Sequence, residues 1–168
     1  MTIKSMATTF ILLGSFVMSQ QALAQSNGIS RQQAANPNNF SANTNTKELP
    51  KSISHCSGTL LSCAVRVLSD EWSGMDSDVQ LGKYISMAQV FIYPQAQSKP
   101  DIGVVVITEE PYGEEGGDDS VSATRYRLAF VEQTNRQGNP YWKFISHRQQ
   151  WQCARPGSDG SWSKRLCP

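Results

Sequence analysis

The residues with the most definite chemistry in this 168-residue chain are its four cysteines, Cys56, Cys63, Cys153 and Cys167. A zinc site would bring them in close pairs of the C-x2-C kind, and a thiol oxidoreductase would show C-x-x-C; the spacings here are neither. That leaves structural crosslinks, which belong to an oxidising compartment. Cys153 and Cys167 lie almost symmetrically about Gly160 in the turn sequence Ser158-Asp159-Gly160-Ser161, so a hairpin there sets them across neighbouring strands, near the Cα separation of about 5.5 Å that a disulfide needs. Cys56 then pairs with Cys63 by parity. One regular helix through both would hold them about 10.5 Å apart, beyond bridging reach. Either the helix starts near Thr59 and Cys56 curls back, or it runs from Ile53 and its cysteines reach separately to Cys153 and Cys167. The hairpin symmetry and Gly58 favour the local pairing.

General acid–base work would fall to His55, His147 or a carboxylate pair. His55-Cys56-Ser57-Gly58 looks superficially like the histidine segment of trypsin-like proteases. Gly117-Asp118-Asp119-Ser120 is not the nucleophile segment such a protein needs, and the chain is too short for two barrels. No Walker, Rossmann or His-x-x-x-His pattern occurs, and no cofactor is expected. The net charge is +1, yet the charges are unevenly spread: residues 67–120 hold eleven carboxylates against two lysines, and residues 121–168 hold eight Lys or Arg against two carboxylates. The stretch from Glu109 to Asp119 reads as a long solvated acidic loop, with hard oxygen ligands of the type Ca²⁺ takes but no fixed ligand spacing. The C-terminal part interleaves bases with rings, and Trp142, Arg148, Trp151, Arg155 and Trp162 form the candidate binding set, since Trp and Arg are the usual anchors of interfaces.

The elements that must position these residues begin after an export signal. Residues 1–24 show Lys4, an apolar run from Ala7 to Met18 and Ala22-Leu23-Ala24, the three parts of a cleavable signal peptide. Six asparagines and few large apolar residues make 25–51 read as a flexible tether. Residues 52–168 form one domain of ordinary size. Apolar positions at Ile53, Cys56, Leu60, Cys63 and Val67 describe an amphipathic helix, with Thr59 or Ser57 as its cap. Val90 to Tyr93 end a strand closed by Pro94, with Leu81 to Ala88 open to a second short helix. Ile102 to Thr108 is a continuous apolar run, as in a strand buried on both faces or at the sheet centre. Tyr126, Leu128 and Phe130 alternate with Arg125, Arg127 and Ala129, as in a strand with one wet face. A turn at Asn135–Pro140 leads into a long strand to Cys153, with Trp142 and Phe144 on one face.

A helix feeding an antiparallel meander of four or five strands is an α+β domain. Its element order is similar to that of cone-shaped cystatin-like or nuclear-transport-factor-like domains, in which a curved sheet wraps a helix. The reading that follows is an exported, soluble, periplasmic or secreted domain. It binds a protein or envelope component without catalysis, through a Trp- and Arg-rich sheet face, and involves neither nucleic acid nor a membrane span. The alternative is a small hydrolase or lyase with its site in the mouth of the curved sheet.

Overall fold

The computed structural model describes residues 28–42, 49–72, 85–97, 99–110, 121–154 and 160–167, with the side chains of 71 and 72 excepted. The segment expected to be an export signal and most of the acidic stretch lie outside these residues. The chain is built around a mainly antiparallel sheet with a few helices. In order come α1 (Arg31–Ala35), a 3-10 turn (Pro37–Asn39), β1 (Ser41–Ala42), α2 (Lys51–Ser54), β2 (His55–Cys56), α3 (Leu60–Trp72), β3 (Ile85–Tyr93), β4 (Ile102–Glu109), β5 (Val121–Thr134), β6 (Pro140–Cys153) and β7 (Trp162–Ser163).

The four long strands run as a meander, β6-β5-β4-β3, each antiparallel to its neighbours. The outer border of β6 is covered piecemeal: β2 pairs at Trp142 and Lys143, β1 at Arg148 and Gln149, and β7 at Trp151 and Gln152. Three two-residue strands thus cap an edge that would otherwise offer a bare ladder of donors and acceptors. Residues 85–88 belong to β3, so the short helix entertained for Leu81 to Ala88 does not form there; Leu81 and Tyr84 lie outside the described residues.

The amphipathic helix is interrupted where Gly58 stands. Thr59 caps α3, its Oγ1 accepting from Ser62 N at 3.2 Å while its carbonyl accepts from Cys63 N at 2.9 Å. Leu60, Cys63, Ala64, Val67 and Leu68 then form one buried stripe against Val105, Ile107, Leu128 and Phe130. Because the helix starts late, Cys56 on β2 folds back to Cys63 with the Cα atoms 5.7 Å apart, and Cys153 bridges Cys167 at 5.6 Å. The C-terminal hairpin is not symmetric about Gly160, however. Trp151 faces Ser163 and Gln152 faces Trp162, so β7 sits six residues out of the expected register. The chain bends at Lys164 and Arg165, and that bend returns Cys167 to Cys153.

β4 is buried on both faces. Val105 and Ile107 join the cluster under α3, while Val104 and Val106 join a second cluster with Ile29, Ala34, Phe40 and Ala129. That second cluster overturns two expectations for the described residues. Residues 28–42 are not a loose tether but a strap laid across the sheet, held by Ile29, Ala34 and Phe40, which are sparse apolar residues placed where each finds the core. The face of β5 carrying Arg125 and Arg127 is consequently not wet: both are 4 % exposed. The result is three layers, with the α3 side, the sheet and the strap stacked in turn.

Gly103 marks a close approach between layers. A Cβ there would meet Leu60 Cδ2 and Cδ1 at 2.5 and 2.6 Å. Leu60 is buried at the start of α3 and has little room to yield. Gly103→Ala is therefore expected to lower the free energy of unfolding by about 1–3 kcal/mol, the usual cost of overpacking. A urea titration compared with the parent protein measures it.

Candidate functional site

Buried arginine on an apolar sheet needs acceptors, and here the strap supplies them from its backbone. Arg127 Nε donates to Ala34 O at 2.7 Å and its Nη2 to Ala35 O at 3.5 Å, and Arg148 Nη1 donates to Pro37 O at 3.4 Å. Gln150 Nε2 donates to Asn39 O at 2.8 Å, and Gln89 brackets Ile29 by accepting from its N–H and donating to its carbonyl. Arg31 reaches the Ile92 carbonyl from the strap side, and Tyr93 Oη donates to Arg31 O at 2.7 Å. The strap's local turns are self-supporting. Ser30 and Gln33 form a reciprocal capping box at α1, and the Asn36 side chain caps the 3-10 turn.

Burial lowers the pKa of Arg127, with Arg148 adding to the effect and Tyr93 opposing it. Tyr93 in turn is raised, chiefly by burial. Arg125 is lowered to about 10 by burial alone, so it still carries its proton at neutral pH. The cost of holding that buried charge is present throughout the physiological range. It is relieved only as pH climbs above about 10 towards the ordinary guanidinium value.

Arg125 lies at the head of a groove. Its guanidinium stacks 3.7 Å from the centre of the Trp162 ring, while Nε and Nη1 lie 3.5 and 3.4 Å from Thr108 Oγ1 and Gln150 Oε1. The groove runs between strap and β7 and has a volume of about 720 Å³. Gly28, Gln33, Asn38 and Asn39 come from the strap, Arg125, Gln150 and Gln152 from the sheet, and Trp162 and Lys164 from the C-terminal segment. Gln152 fastens the far wall, its Nε2 donating to Gly160 O at 2.6 Å. The lining is thus rich in carboxamides around one indole and two cations. A more open cleft of about 600 Å³ lies at the other end of β6, beside His55, Arg136 and Tyr141.

The candidate binding set divides between the two faces of the sheet. Side chains of directly opposed residues share a face, so the pairs Leu128 with His147, Tyr126 with Gln149 and Thr124 with Trp151 put Trp151 on the α3 side. Trp142 and Phe144 pack against the same α3-side cluster. An extra residue at Ile145, between the pairs Phe130 with Phe144 and Ala129 with Ser146, keeps that face aligned while shifting the alternation by one. Arg148 opposes Arg127 and Gln152 opposes Trp162, so Arg148 and Trp162 belong to the strap side. Arg155 lies outside the described residues. The single Trp- and Arg-rich face expected from sequence is corrected accordingly: Trp162 lines the groove, Arg148 holds the strap, and Trp142 and Trp151 belong to the opposite face.

The groove's carboxamides were not singled out from sequence, although Gln150 and Gln152 alternate on one face of β6 and Asn36 to Asn39 are nearly continuous. His147 is buried on the α3 side with its ring 5.6 Å from that of Tyr126. His55 stacks on Tyr141 at 5.3 Å, with Nδ1 3.1 Å from Ser54 Oγ. Glu109 accepts from Tyr126 Oη at 2.8 Å at the end of β4, and the rest of the acidic loop's cation question lies beyond the described residues. Among the described residues no three metal-ligating side chains gather, and no helix is long and apolar enough to cross a membrane. No family model, curated protein or solved structure matches the chain. The likeness to cone-shaped domains therefore stays one of element order.

Proposed function

We propose that this is an exported binding domain, periplasmic or secreted, that holds an envelope component or a protein in the groove between strap and β7 without catalysing a reaction on it. The observation that carries the reading is Trp162, pinned on the Arg125 guanidinium in a groove whose other walls are carboxamides. A rigid aromatic surface ringed by fixed polar groups is the anatomy of a recognition site. Two disulfides support an oxidising compartment, since such crosslinks persist there and are rare in the cytosol. The histidines lie away from the groove, His55 beside Tyr141 and His147 beside Tyr126 on the opposite face of the sheet, and the described lining residues include no acid–base pair.

The reading is tested by screening the domain from Gln25 onward against immobilised envelope polymers and proteins, in parallel with two variants. Trp162→Ala is expected to weaken binding by about tenfold or more, as loss of a central aromatic anchor does. Trp151→Ala, on the opposite face, is expected to bind within about twofold of the parent. Equal losses from the two variants, or turnover of a bound polymer by the parent protein, would count against the proposal.

A further inference from the structure

We propose that the ligand of this groove is an acidic, hydroxyl-rich glycan: an oligosaccharide carrying hexuronate carboxylates. The inference rests on the groove being the binding site and adds the chemistry of what it takes.

The first ground is the hydrogen-bonding capacity left over in the lining. Gln33 Oε1 is spent on Ser30, Asn39 Nδ2 on the Gln33 carbonyl, and Gln152 Nε2 on the Gly160 carbonyl. The second polar atom of each of these side chains makes no hydrogen bond among the described residues, and neither does the carboxamide of Asn38. One arm of Gln33, Asn39 and Gln152 is therefore anchored, which orients the other towards solvent or a ligand. What remains is a mixture: Gln33 Nε2 and Asn38 Nδ2 donate, and Asn38 Oδ1, Asn39 Oδ1 and Gln152 Oε1 accept. A sugar hydroxyl both donates and accepts, so a mixed set spaced along a groove matches a polyol. An extended peptide would instead present a regular main-chain ladder and seek a strand edge.

The second ground is Trp162. A pyranose ring exposes a flat patch of C–H groups suited to an indole, and Arg125 fixes the indole's position from behind before any ligand arrives. The third is charge. Lys164 and Arg125 line the groove, and Arg127 and Arg148 lie on the same face of the sheet, whereas none of the described lining residues is a carboxylate. Such a groove concentrates anions and disfavours a cationic polymer.

Isothermal titration of the domain from Gln25 onward with defined oligogalacturonates tests the inference, alongside neutral cello-oligosaccharides of matched length and an oligoglutamate of matched charge. The oligogalacturonate is expected to bind at least about tenfold more tightly than either comparator. Trp162→Ala and Gln152→Ala are each expected to weaken it about tenfold, a typical effect of removing one anchor. The surface change Lys164→Gln leaves the fold untouched and is expected to weaken binding about threefold while flattening its salt dependence. If oligoglutamate binds as well as the sugar and Trp162→Ala abolishes both, the glycan assignment falls while the groove remains the binding site. If no probe binds, or binding ignores Trp162, Gln152 and Lys164 alike, the glycan assignment falls; if the envelope screen also shows no Trp162 dependence, the groove falls with it.

Discussion

Phe40→Ala is expected to cost about 3–5 kcal/mol, the range for emptying a fully buried aromatic site. Phe40 is 2 % exposed and is the largest side chain the strap contributes to the cluster containing Val104, Val106 and Ala129. Its loss acts on the strap before it acts on the rest. Ile29 and Ala34 remain as apolar anchors, but the carbonyls of Ala34, Ala35, Pro37 and Asn39 keep their sheet partners only while the strap stays seated. Hydrogen exchange should show amides of residues 28–42 losing protection under conditions where those of β4 and β5 keep theirs. Groove binding should fall in step, because Asn38 and Asn39 form one wall. A variant that unfolds as a whole, with strap and sheet losing protection together, would mean the strap is not a separable layer.

Opening the Cys153–Cys167 bridge with a paired Cys153→Ser and Cys167→Ser change is expected to cost about 3 kcal/mol. That is the loop-closure value for a separation of 14 residues. The local effect exceeds what that figure conveys. β7 is two residues long and pairs only at Trp151 and Gln152, so the bridge does most to keep the C-terminal segment on β6. Trp162 and Lys164 both belong to that segment, and Trp162 should leave Arg125 when the segment lifts. Ligand affinity should drop in the double variant by at least about tenfold even where circular dichroism still reports a folded sheet. The shorter Cys56–Cys63 bridge joins β2 to α3 on the other side, and removing it should leave groove affinity nearly unchanged.

Much of the sheet was legible because its strands follow local rules. The unbroken apolar run of Ile102 to Thr108 did mark the strand covered on both faces, and the late start of α3 at Thr59 was one of the two alternatives that the cysteine spacing left open. The strap was not legible, since its three apolar anchors are scattered among polar residues and acquire meaning only from partners some 60 to 110 residues away. Missing it also reversed the reading of Arg125 and Arg127, whose alternation with Tyr126 and Leu128 looks the same whether the polar side meets water or backbone carbonyls. The placing of Trp151 with Trp142, and of Arg148 opposite both, was hidden by the single extra residue at Ile145, which no periodicity of two can register, while the face of Trp162 is set by the β7 register that pairs it with Gln152. The C-terminal register was misjudged for a similar reason: a bend at Lys164 and Arg165 does what the symmetric hairpin was expected to do.

The strap's contacts impose an order on assembly. Its last carbonyls are received by side chains of β6, with 111 residues separating Pro37 from Arg148 and Asn39 from Gln150, and its earlier ones by Gln89, Tyr93 and Arg127 of β3 and β5. Such distant closures are slow, because the intervening chain must be ordered first. A polypeptide emerging N-terminus first meets the strap's partners on β3 and β4 early, but completes the strap's set of contacts only when nearly its last strand has appeared. Full locking of the strap is thereby one of the last steps of folding.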